Sequence, residues 1–379
     1  MKNKGTMIFI ALLCTACIKE EPQKPSQDFN ASSKKEVARI IANMGMGSEQ
    51  LYEVHDAVNS SNANGYDEEY TLSSLFTTPG AGVGEKGGSA TKASRYNTPM
   101  KDLFRKYLEN SPVTKSGADN VEEYILSLTE SDLQIYWPYS EDWNGKDYPV
   151  ITFDPGYGAE SNYGYEISKG KDGRIYVRDS VLVDEDVARS RPVWVINTND
   201  DSAFSPLEMY CTNTTDTKAN AEGRRSLVLK NFKMLRNYDS WFGGASEFFI
   251  KIGAVDGFKA STDEDLKLYS PSVTDFMLVV KRKELGKTIP LDIFLLNDVT
   301  DQMDKVAFIV VEDDGGKVTN WKCSATVKYN SRSYGFEIDI PYKDKDDIVW
   351  RGQLPVSYFQ EGEEVPGRFG DVQITFGLK

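Results

Sequence analysis

The chain has 379 residues, which at roughly 100–200 residues per domain predicts two or three domains and leaves enough chain to bury a core. Hydrophobic residues make up 40% and aromatics 12%, with 20 Tyr and 18 Phe, so the composition excludes an intrinsically disordered protein and favours sheet. A formal charge of −14 repels phosphate backbones and anionic headgroups, which argues against nucleic acid as a partner and against adhesion to a membrane by charge. There is one histidine, His55, and two of the four cysteines fall within the first 17 residues, so any zinc site or His-based triad would have to be built around His55.

The chain opens with a positive n-region, Lys2 and Lys4, a short apolar h-region at 7–13, and small residues, Thr15-Ala16, before Cys17. This is the pattern of a signal peptide over 1–16. Seven apolar residues reach only about 10 Å as a helix against roughly 30 Å of hydrocarbon, and no other stretch approaches a membrane span. Cys14-Thr15-Ala16-Cys17, with Cys14 where Leu is usual, resembles the lipobox of bacterial lipoproteins. That resemblance implies cleavage before Cys17 and lipidation of Cys17. The following Ile18-Lys19-Glu20-Glu21 resembles the export signal of Bacteroidota-type surface lipoproteins, a Lys and two acids just beyond the acylated Cys. Together the two resemblances imply an outer-membrane lipoprotein of the bacterial cell envelope, exposed at the surface and joined to the membrane by its N-terminal lipid alone.

Residues 17–33 then have the Pro-, Gln- and Ser-containing composition of a flexible tether. An α+β domain is expected over 34–197, helical over 34–130 and strand-rich over 133–197. Val37, Ile40, Ile41 and Met44 recur at helical spacing before Gly45 and Gly47, and Leu51, Val54, His55 and Val58 form a second run from Ser48. Shorter helices are predicted at 68–76, 99–109 and 119–129, with a Gly-, Ser- and Thr-rich loop at 77–99. Beyond Asp132 the period falls to two, and strands are predicted at 133–137, 148–153, 163–167, 174–178 and 192–197, separated by turn residues such as Asn144-Gly145 and Asp172-Gly173. The N-terminal helices are expected to pack on a small mixed or antiparallel sheet.

Polar residues 198–223 read as a linker, and 224–379 as an antiparallel β-sandwich. Its strands are predicted at 226–235, 246–254, 274–282, 289–296, 306–312, 321–329, 332–340, 352–359 and 371–378. Trp321, Cys323, Ala325 and Val327 alternate with polar residues, so one face of that strand is core. On strand count and acidic loops this part resembles C2-like sandwiches. Antiparallel alternation puts Asp239, Asp313, Asp314, Asp344, Asp346 and Asp347 at one end, a candidate calcium site set against the alternative of solvated loops with Lys343 and Lys345 among them.

No HExxH, CxxC, P-loop or dinucleotide fingerprint occurs. Ser246 lacks the glycine two residues later that a nucleophile elbow requires, and His55 reads as a polar helix residue beside Glu53 and Asp56. Glu53, Glu122, Glu123, Glu185 and Glu247 are carboxylates that hydrolysis could use, without a basis for choosing between them. Aromatics cluster at Tyr136-Trp137-Pro138-Tyr139 and Trp143, and flat rings suit sugar or peptide surfaces, so Trp137, Tyr139 and Trp143 are the candidate ligand contacts. No catalytic residue is assigned and no resident cofactor is required. The function expected is a cell-surface binding or interaction module for an extracellular glycan or protein, the alternative being a carboxylate-dependent hydrolase such as a glycosidase. Cys211 and Cys323 are expected as reduced thiols, since Cys323 faces the core and Cys211 lies in the linker.

Overall fold

The structure is a computed structural model that describes residues 31–77, 96–110, 121–199, 225–359 and 362–379. The signal peptide, Cys17, the expected tether up to residue 30, Cys211 and residues 200–223 of the expected linker lie outside these residues. The fold is mixed α+β, with six α-helices and three mostly antiparallel sheets among the described residues. None of these helices is long and apolar enough to cross a membrane.

The first sheet has the order β1 (Glu69–Thr71), β2 (Leu133–Tyr136), β6 (Val193–Thr198), β3 (Val150–Phe153), β4 (Ser161–Lys169), β5 (Ile175–Asp184). All neighbours are antiparallel except β3 and β6, which are parallel because the β4–β5 hairpin and the short α6 (Glu185–Ser190) form the crossover between them. Strand β6 is buried on both faces. Trp194 and Ile196 point into one hydrophobic cluster, Val193 and Val195 into another, as the two-residue period requires. The first cluster is roofed by α1 (Ala31–Asn43), α2 (Ser48–Ala63), α3 (Leu72–Thr77), α4 (Met100–Asn110) and α5 (Val121–Thr129). Val37, Ile40 and Ile41 of α1 and Leu51, Val54 and Val58 of α2 supply the apolar stripes anticipated from their spacing. Left-handed Gly45 (φ 78°) turns the chain between these two helices.

At 68–76 the structure differs from the helix expected. Glu69–Thr71 is a strand in register with Gln134–Tyr136, and the helix starts only at Leu72, where Thr71 Oγ1 accepts the Ser74 amide as a cap. A sheet edge more than 60 residues further along the chain overrides the local helical preference.

The other two sheets are β10 (Ile289–Val299), β7 (Arg225–Met234), β16 (Val372–Leu378), β15 (Glu364–Phe369), and β13 (Arg332–Lys343), β12 (Val318–Tyr329), β11 (Met303–Glu312), β8 (Ser246–Ala254), β9 (Ser272–Val280), with β14 (Asp347–Pro355) also on β11. They share one hydrophobic core. Rings from both meet in it, Phe232 with Phe248 at 5.0 Å and Phe308 with Phe376 at 5.6 Å between centroids. The strand predicted at 352–359 overlaps β14 only at 352–355; β14 begins earlier, at Asp347, and after Pro355 the chain makes a 3-10 turn over Val356–Tyr358. Cys323 is a free, half-buried thiol on β12, pushed up to about 11 by burial.

The loop between β7 and β8 docks these sheets on the first. Trp241 and Phe242 are buried against Tyr136, Val150, Val183 and Val195, the Trp241 indole N–H donates to the Glu160 carbonyl at 2.9 Å, and Asn197 Nδ2 donates to the Phe242 carbonyl at 3.1 Å. Three consecutive bases fix the contact. Lys281 lies 3.7 Å from Glu68, Arg282 forks onto Glu185 at 3.0 and 3.2 Å, and Lys283 pairs with Glu141.

Candidate functional site

A cavity of about 490 Å³ forms a groove between the end of α2, strand β1 and the turn from α5 into β2. Its volume lies within the roughly 300–1,000 Å³ typical of ligand sites. Pairing of β2 with both β1 and β6 builds its floor. The Asn199 amide extends the β2–β6 ladder by donating to the Asp132 carbonyl at 2.6 Å, which sets the Asn199 side chain beside Glu69. Asn199 Nδ2 donates to Glu69 Oε2 at 2.9 Å and to Gln134 Oε1 at 2.7 Å. Asn199 is 6% exposed, and its Oδ1 has no hydrogen-bond partner.

The walls are hydroxyl-rich and their hydroxyls are largely committed. Ser61 Oγ reaches Glu69 Oε1 at 3.5 Å, Thr71 Oγ1 donates to Ser74 Oγ at 2.8 Å, and Thr129 and Ser131 donate to the Ile125 and Leu128 carbonyls where α5 ends. Tyr66 supplies a half-buried ring. Burial and the neighbouring Glu53 hold the Tyr70 hydroxyl well above its ordinary value, so it remains a protonated donor. Glu130 and Asp132 stand exposed at the rim, and no Lys or Arg is among the described residues that line the groove.

The aromatic residues nominated from sequence meet elsewhere. Trp137, Tyr139 and Trp143 line one cleft of about 80 Å³ together with Arg189 and Arg191. Trp137 is 1% exposed, packed edge-on against His55 and Trp143 and tilted against Trp194, with centroids 5.3–5.5 Å away. The Tyr139 hydroxyl donates to Glu185 at 2.8 Å and receives Arg189 Nε at 3.2 Å. The Trp143 indole donates to the Asp147 carbonyl at 2.9 Å. This cleft is several-fold smaller than a usual ligand site.

The nominated aspartates gather where β7–β8, β11–β12 and β13–β14 connect. Lys343 Nζ pairs with both Asp313 oxygens at 2.6 and 2.8 Å, the Lys343 amide donates to Asp346 at 2.8 Å, the Lys317 amide to Asp344 at 2.8 Å, and Arg236 lies 4.0 Å from Asp347. Asp314 accepts the Asp347 amide and is raised, first by burial. Burial pushes Asp239 and Asp346 up to about 6. Carboxylate oxygens of Asp239, Glu247 and Glu312 lie within 4.8 Å of one another, and Asp239 is hydrogen-bonded with Glu312. Such close acids are stable when a proton is shared between them.

The five glutamates nominated for hydrolysis are scattered. Glu53 is buried in α2, Glu122 pairs on the surface with Arg105 at 2.9 Å, Glu123 is exposed, Glu185 holds Arg282, and Glu247 belongs to the acid end. The groove residues Glu69, Asp132 and Asn199 were not singled out in the sequence. The signal available was positional, since Asp132 and Asn199 flank apolar strand runs, where polar residues become loop mouths. No protein-family model, curated protein or solved structure matches this chain.

Proposed function

We propose that the protein is a lipid-anchored binding module of the bacterial outer-membrane surface, and that its groove binds an extracellular glycan. The observation that carries the reading is the groove itself, about 490 Å³ with walls of hydroxyl, amide and carboxylate groups around the ring of Tyr66. Saccharides are recognised by such planar polar side chains together with an aromatic face. The lipobox-like Cys17 and the Lys19-Glu20-Glu21 segment support the location. In this reading the C-terminal part is an antiparallel, C2-like β-sandwich that carries the groove-bearing part through the junction at Trp241 and Phe242. No calcium is assigned to its acid end, because Lys343 and backbone amides already serve the aspartates there.

The test is a glycan array probed with soluble residues 18–379, beside an assay for new reducing ends on the same glycans. Binding without new reducing ends is expected, and Tyr66→Ala should weaken it by about tenfold, the loss of one stacked ring. New reducing ends would replace this reading with the hydrolase, and an array without any bound glycan would end it.

A further inference from the structure

We propose that the outer face of β7, β16 and β15 is a second binding site, which takes an acidic glycan by the oxyanion, carboxylate or sulfate ester, that one of its sugars carries. From the preceding reading this takes only the class of ligand, since the site shares no residue with the groove. The two-residue period places its side chains. Phe232 and Met234 of β7, Val372 and Ile374 of β16 and Phe369 of β15 belong to the sandwich core, so Lys233, Gln373 and Arg368 point outward. Register sets these three in one row, with Gln373 opposite Lys233 on one side and Arg368 on the other. At the usual strand spacing the backbones bearing the two cations stand about 10 Å apart, with the Gln373 amide between them. Thr375 and Pro366 pair in the next outward row, and the surface between is a depression of about 210 Å³.

The row is cationic and open to a ligand. Gln373 and Arg368 are exposed, Lys233 is half-buried, and no Asp or Glu is among the described residues that line the depression. Asp292 of the adjoining β10 is held by Lys230 at 2.6 Å and Lys379 at 3.4 Å, and Lys233 pairs with no carboxylate among the described residues. Arg368 is steadied by its own turn, with Nε donating to the Gly370 carbonyl at 3.0 Å and a terminal nitrogen 3.9 Å from Asp371. Asp371 also lies 3.6 Å from Arg236, so one carboxylate is divided between two guanidinium groups and Arg368 keeps part of its charge. An oxyanion seated between Arg368 and Lys233 gains charge-assisted hydrogen bonds from both. The Gln373 amide and the Thr288 and Thr375 hydroxyls offer neutral partners for the hydroxyls that flank each charge on a sugar ring. Charge density decides the class of ligand. Two cations do not offset the repulsion between a chain of net charge −14 and a dense polyanion such as nucleic acid, whereas a glycan with sparse acidic groups brings one charge at a time. A peptide that paired with this sheet would add to β15, its edge strand, and leave the face uncovered.

The experiment is calorimetry on soluble residues 18–379 in neutral, low-salt buffer. Two acidic probes, a galacturonic acid tetrasaccharide and cellotetraose sulfated at its primary hydroxyls, are each set beside a neutral counterpart, the methyl ester and plain cellotetraose. At least one acidic oligomer should bind, about tenfold or more tightly than its neutral counterpart, and added salt should erode the difference. Lys233→Gln with Arg368→Gln should abolish that preference, Lys233→Arg should keep it, and Tyr66→Ala in the groove should leave it unchanged. Failure of both acidic oligomers, parity with the neutral ones, or a preference that survives the double variant would overturn the proposal. So would inorganic sulfate or a glutamate tetrapeptide that binds as tightly as the oligomers, since the site would then serve a free anion or an acidic peptide. Each of these outcomes leaves the groove reading standing, because that reading is decided by the array and Tyr66→Ala.

Discussion

Glu53 sits in α2 with its carboxylate accepting the Met100 amide at 2.6 Å and hydrogen-bonded with Tyr70, so one buried acid joins α2, the start of α4 and the strand that lines the groove. Burial pushes it up to about 7, against the pull of the Met100 amide and Lys101. An acid whose folded pKa lies above its unfolded value contributes stability that is complete below the unfolded pKa and is lost as pH rises through the folded one. For Glu53 that window runs from the ordinary carboxylate range to about pH 7, and the loss is on the order of 2–3 kcal/mol. Urea unfolding should therefore show the protein less stable at pH 8 than at pH 5, and Glu53→Gln, which keeps an acceptor for Met100, should flatten that slope. An identical slope in the variant would assign the titration to other acids. At this scale the sequence was informative where periodicity speaks, as for Leu51, Val54 and Val58, and silent where partners are distant. Glu53 has the same helical neighbours as any surface glutamate, and only Met100 and Tyr70 make it a buried one.

The segment Lys281-Arg282-Lys283 follows β9 and meets one acid per residue, Glu68, Glu185 and Glu141, all from the groove-bearing part. The three bonds are unequal. Lys283 and Glu141 are each about a third exposed, so their pair contributes no more than about 1 kcal/mol. Arg282 is largely buried, and its fork onto Glu185 is joined by a bond to the Asp239 carbonyl at 2.9 Å. Arg282→Ala should cost roughly 2–4 kcal/mol in thermal or denaturant unfolding, below the extreme for a broken buried pair because Arg189 still reaches Glu185 at 3.0 Å. A double-mutant cycle with Glu185→Gln should show a coupling of about 1–2 kcal/mol, and additive effects would mean that the pair does not hold the junction. Elements with strong alternation were legible in advance. Strands β12 and β13 were expected at 321–329 and 332–340, and Asn330 and Ser331, both with positive φ, make the two-residue turn between them. Elements defined by a partner were not. Strand β1 has three residues and a helical context, and β15 carries Pro366 and Gly367, so each is a strand only because β2 or β16 lies beside it.

In the whole molecule, the groove, the junction and the acid end all join residues far apart in the chain: Glu69 to Asn199, Glu185 to Arg282, Asp313 to Lys343. Composition and period foretell layers and the alternation of loops, which is how acidic turns that share an end could be named. They carry no record of which side chain faces which across 130 residues, so Asn199 at the groove floor stayed invisible. The net charge of −14 disfavours an electrostatic hold on an anionic membrane, and no helix among the described residues is long and apolar enough to cross one. In the lipoprotein reading proposed above, attachment would be through Cys17, whose acyl chains would add about 0.8 kcal/mol for each buried CH₂. A fatty-acid analogue should label the wild type and not Cys17→Ala, and the variant should leave the membrane fraction while its melting temperature stays unchanged. Replacing Lys19-Glu20-Glu21 by alanines should keep the label and reduce cleavage by protease added to whole cells. Label retained on Cys17→Ala would remove the lipoprotein reading, and unchanged cleavage of the alanine variant would leave the anchor but remove the surface-export signal.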